Sequence, residues 1–227
     1  MKKLTMAAVL ATMIVTCSGI SFAGMFDALT GSPATGESKG LSKALFDNYF
    51  GLSKKADDLQ QGSLDKLSKM LLNKDDSEKF DRRNKEINAI KDPKEQESAK
   101  AKFLEDSQAA IAKVDESKAT ETKLKSLSAD QKKLVGASIS NLLLSALVNK
   151  SAVDVATGIV QKSQANPASA ISFANDLSKI KEAVATLPGK IEMTTSLGNK
   201  LVKLASTNKI EVAIPKTATQ EPQDVPM

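Results

Sequence analysis

The sequence predicts an all-α protein, an elongated bundle of six to eight helices packed largely antiparallel through short turns. Three observations predict it. From Leu41 to Leu204 apolar residues return every three or four positions, the spacing of one helix face. The pairs Asp92-Pro93 and Asn166-Pro167 punctuate that pattern, and proline suits the first turn of a helix but not its interior. Only Ile210-Glu211-Val212-Ala213-Ile214-Pro215 alternates with period two, and a lone strand has nothing to pair with.

In chain order, residues 1–23 read as an export signal. Lys2 and Lys3 precede an uncharged run from Leu4 to Val15, and Ser21-Phe22-Ala23 sets small residues at the −3 and −1 positions before Gly24. The run is shorter than the ~20 apolar residues of a membrane anchor. The expected location is therefore the periplasm or the extracellular space. Cys17 keeps a lipid-anchored form open as the alternative, although Thr16 stands where a lipoprotein signal carries Gly, Ala or Ser. Residues 24–40, rich in Gly, Ser, Thr and Pro, read as a linker or arm.

Residues 41–208 form the expected bundle domain. Leu41, Leu45, Tyr49, Leu52, Ala56 and Leu59 make the first stripe, and Gly62-Ser63 interrupts it before Leu64, Leu67, Met70 and Leu71. A polar helix is expected over about 77–91, carrying Phe80, Ile87 and Ile90. Asp92-Pro93 opens the next, through Phe103, Ile111 and Val114 as far as Leu124, about 45 Å at 1.5 Å per residue. Ser128-Ala129-Asp130-Gln131 fits a capping box. It opens a helix without any charge from Leu134 to Asn149, whose polar residues Ser138, Asn141, Ser145 and Asn149 share one narrow strip. A helix apolar over the rest of its circumference belongs at the centre of a bundle. Ser151 to Asp154 reads as another cap. After Asn166-Pro167 come Phe173, Leu177, Ile180, Val184 and Leu187, then a turn at Pro188-Gly189, then a last helix with Leu197, Leu201 and Leu204. Residues 209–227 read as an extended strap along the bundle followed by a disordered tail.

Composition narrows the function. The chain has no His and no Trp, and its one Cys lies in the signal. The usual general base, the usual thiol nucleophile and two common metal ligands are therefore missing from the exported part. No cofactor, metal or disulfide is expected there. Removing Lys2 and Lys3 lowers the formal charge from +5 to +3, a mixed surface without a strong field. Arg82 and Arg83 are the only arginines, so the guanidinium forks that grip phosphate and base edges are nearly absent and nucleic acid is not an expected partner. Adjacent acids at Asp57-Asp58, Asp75-Asp76, Glu105-Asp106 and Asp115-Glu116 point about 100° apart on a helix and do not converge on one substrate. An enzyme using Ser, Lys or carboxylates is the third-ranked reading.

Leu127-Ser128-Ala129-Asp130-Gln131 resembles the Leu-Thr-x-x-Gln motif of small periplasmic helical chaperones of the Spy type, with Ser in place of Thr and one copy where that family carries two. The resemblance implies an ATP-independent holder of unfolded proteins. The same five residues are a capping box after a leucine, and that is the reading preferred.

The expected function is therefore non-enzymatic. The protein acts by binding other envelope or secreted proteins, with amphipathic surfaces such as Leu41 to Leu72 as the contact and chaperone-like activity included. The alternative is a lipid- or membrane-interacting protein built on Leu134, Ile139, Leu142, Leu143, Leu144 and Leu147. At 16 residues the stretch 134–149 spans ~24 Å, short of the ~30 Å hydrocarbon core, which favours a place in the core. The sequence leaves the oligomeric state open.

Overall fold

The computed structural model describes residues 41–114 and 118–224. The expected export signal with Cys17 and Gly24, and the 24–40 arm, lie outside the described residues. Six α-helices of nine residues or more follow one another: α1 (Lys43–Leu71), α2 (Lys74–Ala89), α3 (Pro93–Ala112), α4 (Lys118–Ser126), α5 (Ala129–Ala165) and α6 (Ala174–Thr207). A four-residue helical turn, Pro167–Ala170, and a 3-10 turn, Ile171–Phe173, join α5 to α6. No strand occurs among the described residues. The chain is an all-α bundle built on three long helices of 29, 37 and 34 residues, α1, α5 and α6.

The caps at Asp92 and Ser128 fall where the sequence places them. The Asp92 side chain accepts from the amide of Glu95, with Pro93 at the first helical position; α2 begins at Lys74 rather than near 77, because the Asn73 side chain caps it by accepting from the amide of Asp76. Ser128 and Gln131 form a complete capping box, the Ser128 hydroxyl accepting from the Gln131 amide at 3.2 Å and the Gln131 side chain from the Ser128 amide at 2.9 Å.

α5 is the axis of the bundle. Leu64 and Leu67 of α1, Ile111 of α3, Ile139 and Leu142 of α5, and Leu201 of α6 close one core, each 2% exposed or less. Ala56 of α1 meets Leu144 and Val148 in a smaller one. These pairs run α1 antiparallel to α5. α6 packs closely on α5 at Gly198, where the Leu143 side chain fills the space that a Cβ on Gly198 would occupy. α2 lies outermost, with Ile87 its one buried side chain. An edge-to-face contact of Phe80 with Phe103 and an Arg83–Asp106 ion pair at 2.5 Å hold it to α3.

The structure differs from the expectation at four further boundaries, and packing decides three of them. α1 runs unbroken through Gly62-Ser63; an interior glycine costs about 1 kcal/mol relative to alanine. Ser63 is buried with its hydroxyl returned to the Leu59 carbonyl, and the apolar stripe continues onto α5. The helix from Pro93 stops at Ala112 and a new one starts at Lys118, so the single ~45 Å helix is replaced by two. Asp115 and Glu116 lie outside the described residues. α5 does not restart at Ser151, because Ala152, Val155, Ala156 and Ile159 keep the register of Val148 and are all buried. α6 passes through Pro188-Gly189 without a turn. A proline inside a helix costs about 3 kcal/mol. Leu187 and Thr194 lie two turns apart on one buried face, and that continuous face from Ile180 to Leu204 offsets the cost.

Beyond Asn208 the chain is an irregular strap, without regular secondary structure over 210–216 and with a turn at 217–220. It leaves α6 through Lys209, whose φ of 56° is the one positive value outside glycine among the described residues. Ile210 then enters the main core at 4% exposure. The tail expected to be disordered is held, as far as it is described, against the bundle.

Candidate functional site

The six apolar residues singled out on α5 separate into two sets. Ile139, Leu142, Leu143 and Leu144 are buried, while Leu134 and Leu147 are half-buried. α5 is also longer than the uncharged stretch: 37 residues span about 56 Å. The length argument against a membrane helix therefore does not hold for the whole element. It is the one described helix long and apolar enough to cross a membrane, and 56% of its most apolar 18-residue window is buried in the bundle. The apolar stripe of α1 from Leu45 to Leu71, expected to serve as a contact surface, is used inside the bundle against α5. What α1 leaves to solvent is mostly charged, including the pairs Lys43–Asp47 and Lys54–Asp58.

The strap crosses α5 at Gly136, Asn141, Leu144 and Val148. The carbonyl of Glu211 rests on Gly136, close enough that a Cβ there would lie 2.0 Å from its oxygen. Ala218 packs on Ala56, Leu144 and Val148. Pro222 sits beside Gly51, Lys54, Lys55, Asp58 and Leu59 of α1, in a shallow depression open to solvent. Then Gln223 meets Asn141. Its main-chain N–H donates to Asn141 Oδ1 at 2.7 Å, and its carbonyl accepts from Asn141 Nδ2 at 2.9 Å. A carboxamide presents one acceptor and two donors, so it pairs with the main chain of an extended residue and makes no demand on its side chain.

The polar strip gains its meaning here. At about 100° per residue, Ser138, Asn141, Ser145 and Asn149 fall within an arc of about 80°. All four are buried. Ser145 returns its hydroxyl to the Leu142 carbonyl. The Ser138 hydroxyl and the Asn149 carbonyl oxygen have no hydrogen-bond partner among the described residues. The sequence shows the strip; that it receives a main chain required the strap's position.

A second polar seam crosses the bundle between α1, α3 and α6. Gln60 donates to Gln108 at 3.5 Å and Gln108 to Thr194 at 3.1 Å, all buried. Two helix ends are closed by lysines from other helices. Lys123 donates to the Leu72 carbonyl after α1, and Lys200 to the Ala112 carbonyl at the end of α3, where the helix dipole favours a cation. Loss of hydration holds the Lys123 ammonium below the usual lysine range. The Asp57 carboxyl is raised, first by lost hydration and then by Asp58 and Glu97, with Lys190 opposing. Its residue nonetheless keeps a face open to water, so the shift acts weakly. Burial also raises the Tyr49 phenol, against a hydrogen bond with Ser53. Among the described residues no three Asp, Glu, His or Cys side chains come together as a ligand set.

No family model, curated protein or solved structure matches this chain.

Proposed function

We propose that the protein is exported and works without catalysis, by holding other envelope or secreted proteins through their extended segments. The observation that carries this reading is the strap, an irregular polypeptide held along α1 and α5 by main-chain bonds to Asn141 and by a small residue packed on Leu144. A surface that takes one irregular chain this way has the chemistry to take another. The test is capture from an envelope extract after brief crosslinking, using the chain from Gly24 onward, with a light-scattering assay of a denatured client alongside. A defined partner or slowed client aggregation is expected. Failure of both overturns the reading.

The length and apolar character of α5 favour a second reading, contact with lipid. Flotation with liposomes tests it. Co-migration of the folded protein supports it, and recovery of the protein entirely in the lower fractions rejects it.

A further inference from the structure

The tip where α5 turns into α6 is an apolar surface that nothing in the bundle covers. From Ser163 to Asn175 the chain carries no charge. Its backbone is folded on itself. The Asn166 side chain accepts from the Ser169 amide at 3.3 Å, the Ser169 hydroxyl donates to the Asn166 carbonyl at 3.0 Å, and two short helical turns carry the chain from Pro167 to Phe173. A tip made of helical turns presents few bare main-chain groups, the condition for entering a layer poor in water. Ile171 is 78% exposed, the most exposed large apolar side chain among the described residues. An isolated exposed isoleucine is ordinary. This one stands on a fixed base: two positions on, Phe173 stacks on Phe46 of α1 with ring centroids 4.5 Å apart. Phe50, one turn beyond Phe46, is half-buried.

We propose that this tip enters the interfacial layer of a lipid bilayer. The proposal rests on the lipid reading above and gives it a site other than the length of α5. Two observations choose a bilayer as the occupant. The stack of Phe46 on Phe173 places the start of α1 at this end, so the chain enters the bundle here. Ahead of that entry the sequence holds the uncharged run Leu4 to Val15, then Cys17. An uncut signal, or an acylated Cys17, therefore ties this end to a membrane. The second observation is charge. Lys162, Lys179 and Lys181 face solvent against Asp176 and Glu182, and Lys43 is paired with Asp47 at 2.7 Å. The slight positive excess means that an anionic headgroup layer does not repel the tip. Apolar burial then carries the contact, and salt has little effect on it. A wedge this small does not hold a protein on a bilayer by itself, since even one acyl chain does so only marginally. It serves as the second signal beside the tether.

The experiment uses the chain from Gly24 with an N-terminal hexahistidine tag, on phosphatidylcholine–phosphatidylglycerol vesicles that include a nickel-chelating lipid. The chain has no His, and no Cys after Cys17, so the tag alone binds nickel and an introduced thiol is the single labelling site. Ala168→Cys, labelled with an environment-sensitive fluorophore, is expected to shift to the blue on the vesicles. Nitroxide-bearing acyl chains are expected to quench it, at low and high salt alike. The same label at Met193→Cys, in the middle of α6 and 49% exposed before substitution, is expected to stay in water. Ile171→Asp in the Ala168→Cys protein is expected to lower the inserted fraction about 10-fold or more, with unchanged circular dichroism because Ile171 is not part of the core. An unshifted label at the tip, or quenching that Ile171→Asp leaves intact, overturns the proposal. So does equal quenching at Met193→Cys, which would lay the side of α6 on the membrane. Leu147→Cys, on α5, separates the two lipid sites. Quenching there with a silent tip keeps the lipid reading and rejects this one, and silence at both rejects both.

Discussion

Gly136→Ala distinguishes a covered α5 from a free one by the sign of its effect. On an exposed helix face, glycine to alanine is stabilising by about 1 kcal/mol, because alanine loses less backbone freedom on folding. Here the added Cβ would sit 2.0 Å from the carbonyl oxygen of Glu211 and 3.2 Å from its carbon. A main-chain oxygen cannot rotate away as a side chain can, so the strap must retreat by roughly 1 Å or more to reach ordinary contact at 3.3–3.6 Å. Overpacking of this kind costs about 1–3 kcal/mol. If the strap lifts instead, the burial of Ile210 is lost, about 1.5–3 kcal/mol for a side chain of its size. Net of the helix gain, Gly136→Ala is expected to destabilise by up to about 2 kcal/mol. In a chain of this length that lowers Tm by up to roughly 8 °C. Urea denaturation followed by circular dichroism measures the first, and hydrogen exchange over residues 210–224 shows whether the strap has loosened. A variant more stable than wild type, with strap amides as slow as before, would refute the position of the strap.

Three further outcomes follow from the packing and the charges. Ser128→Ala removes one bond of the capping box and is expected to cost about 1 kcal/mol, read as a fall in the urea midpoint; an unchanged midpoint counts against the cap. The Asp57 carboxyl is raised in the folded state, so that state binds more protons than the unfolded one between the two pKa values, and stability falls as pH rises through that window. Asp57→Asn should therefore raise Tm slightly at pH 7 and leave it unchanged at about pH 3, and a gain of equal size at both rules out ionisation as the cause. Leu143→Asp buries an unpaired carboxylate against Gly198 of α6 and is expected to unfold the chain, at several kcal/mol. Folded, helical protein at about 25 °C would mean that this face of α5 is not core.

What the sequence makes legible is punctuation and periodicity. Asp92, Ser128 and Asn166 cap helices in the structure, because a short polar side chain satisfies an orphan amide wherever the chain folds. The uncharged stretch from Leu134 to Asn149 lies at the centre for the reason that makes it conspicuous. Local signals mislead where tertiary packing outweighs them. Pro188-Gly189 reads as a turn, yet the step from Leu187 to Thr194 returns the chain to the same buried face, and that register is the better guide. Asn141 belongs to a visible strip, but no spacing rule pairs it with Gln223, 82 residues away.

α1 and α5 are partners separated by three other helices: Ala56 waits for Leu144 and Leu64 for Ile139. Contacts between residues so far apart in sequence close late and slow the reaction. A chain made from its N-terminus onward would carry α1 to α4 with their oily faces unsheltered until the fifth helix is complete. α5 and α6, neighbours in sequence as well as in space, form the hairpin that can assemble first and offer the earlier helices a template.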